Sequence, residues 1–101
     1  MKKAITGTVV SLAMLGLASV AQAAEGQKVY QQACFACHGT GAAGAPKLEK
    51  SAWTDRLSQG KEVMYDSAIN GKGAMPAKGG RANLSDADVK AAVDYMLSEV
   101  Q

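Results

Sequence analysis

Large apolar side chains are scarce over most of this chain, and their scarcity limits what it can fold into. Beyond residue 23, only 11 of 78 residues are Leu, Ile, Val or Phe. A share below about 20% is typical of disordered chains, and the share here is about 14%. Disorder also requires a high net charge, however. These 78 residues carry nine basic and nine acidic side chains, so their net charge is zero. A chain this short with so few large apolar groups needs a staple or a cofactor to complete its core.

Residues 1–23 have the features of a secretory signal peptide. Two lysines follow the first methionine, residues 4–20 are mostly apolar, and residues 21–23 read Ala-Gln-Ala, the small-x-small form of a cleavage site. An apolar run of this length is at the short limit for spanning a bilayer, so we expect cleavage rather than retention as a membrane anchor. The prediction is a single mature domain, residues 24–101, located in the periplasm.

Two cysteines and a histidine form the most specific motif of the chain. Cys34, Cys37 and His38 fit the C-x-x-C-H pattern of covalent c-type haem attachment. Residues three apart share a helix face, so both thiols can bond to vinyl groups on one side of a porphyrin while the imidazole reaches the iron. A structural zinc site would need four such ligands and the chain has three. A redox dithiol would follow a strand, and a plain disulfide would leave the thin core unexplained. We predict one covalent haem c, which also supplies the missing core.

The remaining pattern predicts an all-α fold with four to five short helices around the haem. The predicted helices cover residues 25–38, 51–59, 61–70 and 85–100. Ser51 is the candidate N-cap of the second, and Ser85 with Asp88 forms a candidate capping box for the last. Residues 39–46 and 71–83 are rich in Gly and are predicted loops. One apolar stripe follows the last helix: Val89, Ala92, Val93, Met96, Leu97 and Val100.

Three methionines beyond residue 23 are candidates for the second axial ligand of the iron, because the chain has only one histidine. Met64 and Met96 fall on apolar faces of predicted helices and are most simply core residues. Met75 lies in a loop where no apolar periodicity explains a thioether, with Gly73 allowing close approach to a porphyrin and Pro76 stiffening the backbone. We expect Met75 to bind the iron. A His–Met pair of axial ligands suits electron transfer and raises the reduction potential of the haem. The alternative is that Met75 does not bind, which would leave one coordination position of the iron open to oxygen or peroxide.

Three further residues could support the haem. The second ring nitrogen of His38 needs an acceptor, and the backbone carbonyl of Pro46 is the predicted one. Trp53 and Arg56 share a helix face and could bind the haem propionates, the first through its indole N–H and the second through charge-assisted hydrogen bonds. The alternative for this pair is a packed Trp and a solvated Arg.

From Glu25 onward the chain resembles a bacterial class I c-type cytochrome, and specifically the cytochrome c5 family. The matching segments are Cys34–His38, Gly41–Leu48, Trp53 with Arg56, Gly71–Gly80 and Leu84–Asp86. The resemblance implies His38 and Met75 as axial ligands and Cys34 and Cys37 as the thioether links.

It also implies a crossing of the first and last helices, where Gly26 and Tyr30 would meet Tyr95. Some family members carry a second pair of cysteines just before the last helix. This chain has Arg81 and Leu84 there instead, so no stabilising disulfide is expected.

The function that the resemblance implies is a soluble periplasmic carrier of single electrons, not an enzyme. Its donor would be a membrane cytochrome complex or another quinol-oxidising protein, and its acceptor a terminal oxidase or a cytochrome c peroxidase. The complexes would be transient and the protein a monomer. Two alternatives remain open: a haem enzyme or gas-binding protein with an open iron, and an accessory subunit of a respiratory complex, which would need a large apolar surface patch.

Charge is distributed unevenly along the chain. The loops 39–50 and 71–84 carry five basic residues (Lys47, Lys50, Lys72, Lys78, Arg81) and one acidic residue, so their net charge is 5 − 1, or +4. The rest of the mature chain carries 4 − 8, or −4. If these loops surround the haem edge, the resulting dipole would steer that edge toward acidic partners, although ordinary solubilising lysines are the alternative. The whole chain has a net charge of +2 and no basic run, so no nucleic-acid partner is expected.

Overall fold

The computed structural model describes the backbone of residues 10–101 and the side chains from Gln22 onward. Five helices and no named strands occur in this part of the chain, as the sequence predicts. The helices are α1 (Val10–Ala33), α2 (Phe35–His38), α3 (Lys50–Leu57), α4 (Lys61–Asn70) and α5 (Asp86–Val100). Short 3₁₀ turns over Ala42–Gly44 and Ala77–Gly80 lie within the two predicted loops.

The first and last helices cross at a glycine. A Cβ atom on Gly26 would overlap the backbone carbonyl of Ala91, so only glycine lets α1 approach α5 this closely. Beside the crossing, the rings of Tyr30 and Tyr95 lie 5.3 Å apart between centroids. The predicted contact of Gly26 and Tyr30 with Tyr95 is therefore confirmed.

The predicted apolar stripe of α5 forms much of the core. All six residues of that stripe are buried. The helix begins at the expected capping box: the Asp88 N–H donates to the Ser85 hydroxyl at 3.0 Å, and the Ser85 N–H donates to the Asp88 carboxylate at 3.3 Å. Two otherwise unpaired amides are thereby satisfied, which sets the start of the helix.

The first two predicted helices have different boundaries in the structure: α1 begins at Val10 rather than at residue 25, and α3 ends at Leu57 rather than at residue 59. The helix predicted over 25–38 is interrupted at Cys34, although the His38 N–H still donates to the Cys34 carbonyl at 2.9 Å. The chain therefore turns without losing its backbone hydrogen bonds, and α2 becomes a separate element. The third helix begins at Lys50, with Glu49 rather than Ser51 as its N-cap residue and with no capping side chain. The extended backbone of Glu49 sets this start.

The predicted signal peptide lies largely outside the described side chains, and residues 1–9 lie outside the described backbone as well. Helix α1 continues through the predicted cleavage point after Ala23. Residues 22–25 are exposed, and Gly26 is the first buried residue among those whose side chains are described. Among the helices described, none is both long enough and apolar enough to cross a bilayer.

Candidate haem-binding site

A mainly apolar cavity of about 450 Å³ opens between the end of α1, helices α2, α4 and α5, and the two glycine-rich loops. Its volume is in the range of cofactor-binding cavities. All four residues predicted to bind haem line it: Cys34, Cys37, His38 and Met75. The fold therefore brings together a motif and a methionine that are almost 40 residues apart in the sequence.

The two cysteines are free and half-buried, so no disulfide joins them. Cys34 immediately precedes α2 and Cys37 lies within it, which puts both residues in the wall of the cavity. Burial raises the pKa of the Cys34 thiol to about 11. In the part of the chain that the structure describes, no three His, Cys, Asp or Glu side chains converge to hold a metal ion.

His38 is held by the predicted backbone carbonyl. Its side chain is buried, with 7% of the residue exposed, and its Nδ1 atom lies 2.9 Å from the carbonyl oxygen of Pro46. A carbonyl can only accept, so Nδ1 carries the proton and Nε2 keeps a free lone pair. That tautomer is the one required of a histidine that binds a metal through Nε2.

Trp53 has a role that the sequence left open. Its indole N–H donates to the Lys47 carbonyl at 2.7 Å, and its ring lies 5.8 Å from the His38 ring between centroids. The indole N–H is therefore occupied by a protein acceptor, which favours the packed role for Trp53. Trp53 is a packed residue that supports the histidine side of the cavity. Arg56 is exposed and lines the cavity, so it remains a candidate for contact with a haem propionate.

The loop that carries Met75 has a defined backbone. Lys72 and Met75 exchange two backbone hydrogen bonds, each 3.0 Å long. Gly71, at φ +86°, packs against the following backbone where a Cβ atom would be crowded. Met64 and Met96 also line the cavity. The cavity thus includes all three candidate methionines, and Met75 as the ligand stays a prediction.

The segment after Met75 is fixed to both neighbouring helices by contacts that the sequence analysis missed. The Arg81 Nε–H donates to the Gln32 carbonyl at 2.9 Å. The Lys78 ammonium donates to the Leu84 carbonyl at 2.8 Å and lies 3.2 Å from the Asp86 carboxylate. Both cations were predicted as surface charges of the loops. Apart from the Asp86 carboxylate, their partners are backbone carbonyls, which leave no signal in a sequence.

The residues present fit a haem c. The charged residues that line the described cavity, Arg56, Lys72 and Lys78, are all basic, which suits a disc that carries two propionate groups. The rest of the wall is mainly apolar, as burial of a porphyrin requires. Two free thiols and an oriented imidazole complete the donor set.

Comparisons with known proteins give the same result. A family model described as "Cytochrome C oxidase, cbb3-type, subunit III" matches residues 21–96. Cytochrome c-555 of Chlorobaculum tepidum is 42% identical to this chain over 98% of both chains. Cytochrome c5 of Azotobacter vinelandii is 39% identical over 73% of this chain and 93% of its own.

A solved structure is similar in fold and in sequence. It is described as the crystal structure of an electron transfer complex of nitrite reductase with cytochrome c. The match has a TM-score of 0.72 and 44% sequence identity, and it covers 76% of this chain and 95% of the other. The family and its relatives imply a covalently bound haem c, consistent with Cys34 and Cys37. The chain therefore belongs to the bacterial class I c-type cytochromes, including the c5 type, and is a small single-haem electron carrier rather than an enzyme.

Proposed function

We propose that this cytochrome carries single electrons in the periplasm from a membrane cytochrome complex, or another quinol-oxidising donor, to a terminal oxidase, a cytochrome c peroxidase or a comparable terminal acceptor. The observation that carries the proposal is that Cys34, Cys37, His38 and Met75 all line one mainly apolar cavity. When bound, the haem supplies a one-electron couple at its iron. The protein residues hold the haem and limit how much the site changes between oxidation states.

The axial ligands in this proposal are His38 and Met75. The Pro46 carbonyl orients the imidazole, and the paired backbone of Lys72 and Met75 presents the thioether from a loop with little freedom. Two protein ligands favour electron transfer over binding of oxygen or peroxide, and a thioether raises the reduction potential. Cys34 and Cys37 would carry the thioether links that keep the haem attached during repeated transfer.

The proposed docking surface surrounds the open side of the cavity. Ala42, Ala43 and Ala74 are exposed residues of the cavity lining, and Lys47 and Lys72 are exposed in the same two loops. Small apolar side chains with a few peripheral cations suit a weak interface that releases its partner quickly. The similarity to a cytochrome c seen in an electron-transfer complex supports a redox enzyme as the acceptor.

Export to the periplasm is supported by the N-terminal segment. The lysines at its start, its apolar run and its Ala-Gln-Ala sequence are those of a cleavable signal. The described structure is compatible with cleavage there, because residues 22–25 are exposed and burial begins at Gly26. A domain that begins at residue 24 would keep Gly26 and Tyr30, which form the described crossing of α1 with α5.

Absorption spectra of the haem-loaded protein test the ligand assignment. We expect the weak long-wavelength band of methionine-ligated ferric haem, and slow binding of carbon monoxide to the reduced form. Met75→Ala should lose the band and bind carbon monoxide readily. Met64→Leu and Met96→Leu are the matched controls and should keep the band. Rapid carbon monoxide binding by the unmodified protein would contradict the carrier proposal and favour an open iron.

The redox role is tested separately by mixing the reduced protein with a terminal oxidase and with a cytochrome c peroxidase plus hydrogen peroxide. Either enzyme should oxidise it at a rate that rises with cytochrome concentration. Cell fractionation tests the location: haem-containing protein that begins at residue 24 is expected in the periplasmic fraction. Recovery of the uncut chain with the membranes would contradict this part of the proposal.

A further inference from the structure

We propose that Lys78 is a positioning residue that holds the Met75 loop against the start of α5 and thereby keeps the methionine on the iron. This inference rests on the proposed ligation by Met75. Lys78 follows Met75 by three residues and lines the same cavity. No feature of the sequence distinguishes it from the other loop lysines.

The Lys78 side chain is fixed at its charged end. Its ammonium group donates to the Leu84 carbonyl at 2.8 Å and lies 3.2 Å from a carboxylate oxygen of Asp86. Only 22% of the side chain is exposed, whereas Lys72 in the same loop is an exposed residue. A partly buried ammonium with two oxygen partners forms a stronger link than a surface ion pair.

The backbone at Lys78 supports the same conclusion. Its φ is +55°, a left-handed conformation that residues with a Cβ atom adopt at a cost and that glycine adopts freely. A lysine at such a position is explained when its side chain forms contacts that offset the backbone strain. The contacts with Leu84 and Asp86 are of that kind.

The two sides of this segment are attached to different helices. On one side Gly79 packs directly on the Ala33 carbonyl and Arg81 donates to the Gln32 carbonyl, both near the end of α1. On the other side Lys78 alone provides the side-chain link to the start of α5 among the contacts described. The start of α5 is the positive end of its helix dipole, which disfavours the Lys78 ammonium at this position. The Asp86 carboxylate is therefore needed to hold that ammonium in place.

The Lys78 link sets how often the Met75 loop opens. An external ligand such as imidazole binds the iron only when Met75 has left, so its apparent affinity is its intrinsic affinity multiplied by the open fraction. Loss of the Lys78 link raises that fraction. It also weakens the methionine ligand, which lowers the reduction potential.

The test is an imidazole titration of the ferric haem-loaded protein, followed by loss of the methionine-to-iron band, together with measurement of the reduction potential. We expect Lys78→Ala to bind imidazole about tenfold more tightly, equivalent to about 1.4 kcal/mol, and to have a lower potential. Lys78→Arg should largely restore both values. Asp86→Asn, which keeps the bond to the Leu84 carbonyl, should give a smaller change of the same sign. Lys28→Gln, an exposed lysine of α1, should match the unmodified protein.

Lys78→Gly removes both the link and the backbone strain, whereas Lys78→Ala removes the link and keeps the strain, so the two variants together separate the effects. Because relief of the strain offsets part of the lost link, Lys78→Gly is expected to bind imidazole less tightly than Lys78→Ala. Behaviour like the unmodified protein in Lys78→Ala would overturn the proposal while leaving Met75 as the ligand. An unmodified protein that lacks the methionine band overturns the ligation itself. Should Lys78→Ala fail to load haem, Asp86→Asn and Lys78→Arg decide the question by the same titration.

Discussion

His38 and Pro46 are joined by a bond of 2.9 Å from the imidazole Nδ1 atom to a backbone carbonyl, and the next carbonyl along the chain, that of Lys47, accepts from the Trp53 indole at 2.7 Å. Two successive peptide groups therefore lie between His38, the proposed axial ligand, and α3. Because each group is held at a fixed distance, the imidazole ring has little freedom to rotate. The start of α3 thus contributes to the geometry of the iron site.

The hydrogen bond from the Trp53 indole to the Lys47 carbonyl predicts that its loss lowers the stability of the fold without displacing the axial ligands of the haem. Trp53→Phe keeps an aromatic ring but removes the N–H, which leaves the Lys47 carbonyl without this donor. We expect a loss of about 1–3 kcal/mol in the free energy of unfolding, measured by guanidinium denaturation of the haem-loaded protein, with the methionine band retained. Thr54→Ala, the exposed neighbour, is the control, and equal losses in both variants would contradict the role of the indole.

The helix crossing predicts that Gly26 does not tolerate a side chain. Gly26→Ala places a Cβ atom on the Ala91 carbonyl, so α1 must move away from α5. Overpacking of this kind costs about 1–3 kcal/mol, while alanine regains up to about 1 kcal/mol in helix propensity. We expect a lower thermal midpoint for Gly26→Ala. Gln27→Ala, one exposed position further on, should change it little, and a raised midpoint in Gly26→Ala would contradict the close packing.

The charge distribution predicts that docking to acidic partners depends on salt concentration. Fewer lysines are expected to steer this docking than the sequence suggests. Lys78 is paired with Asp86, whereas Lys47 and Lys72 are exposed beside the cavity. The double variant Lys47→Gln, Lys72→Gln should therefore exchange electrons several-fold more slowly with a carboxylate-coated electrode at low salt. The difference should disappear at high salt because screening removes steering.

A second double variant provides the matched control for docking. Lys28→Gln, Lys90→Gln removes the same number of positive charges from exposed positions on α1 and α5, outside the two loops. It should behave like the unmodified protein at every salt concentration. An equal effect in both double variants would show that net charge, rather than its location, governs the rate.

The contact between Tyr65 and Asp94 predicts a loss of stability at high pH. The Tyr65 hydroxyl donates to the Asp94 carboxylate, and the pKa of this phenol is raised, chiefly by burial and further by that hydrogen bond. The folded state therefore favours the neutral phenol. Its contribution is complete below the unfolded pKa of about 10 and is lost as pH rises through the folded value.

The measurement is the denaturation midpoint of Tyr65→Phe and of the unmodified protein across this pH range. At neutral pH the variant should be less stable by about 0.5–1.5 kcal/mol, and the gap should narrow above about pH 10. Lys61 also contacts Asp94, and its own hydrogen bond to that carboxylate raises the pKa of its ammonium group, so its contribution is lost in the same direction. A gap that widens with pH would contradict the assignment.

Much of the fold and part of the site could be predicted because they depend on neighbouring residues. The capping box at Ser85 and the apolar stripe of α5 follow from the spacing of side chains on one helix, and the structure has both. The boundary at Glu49 differs because no capping side chain is present there to signal it. Backbone conformation alone sets the start of that helix.

The sequence by itself determined the covalent chemistry. Cys34, Cys37 and His38 are close enough along the chain that their spacing alone implies a haem, and the scarcity of large apolar residues explains why one is needed. The position of Met75 in a glycine-rich loop made it a candidate by local context alone. Each of these inferences requires only the geometry of a few successive residues.

Only the tertiary structure decided which polar groups are occupied. It assigned the indole of Trp53 to a backbone carbonyl, and it turned Lys78 and Arg81 from surface charges into links between the Met75 loop and the two crossing helices. Apart from the Asp86 carboxylate beside Lys78, every one of these partners is a main-chain oxygen. All residues carry that atom, so a sequence cannot show which of them will accept a hydrogen bond until the chain has folded.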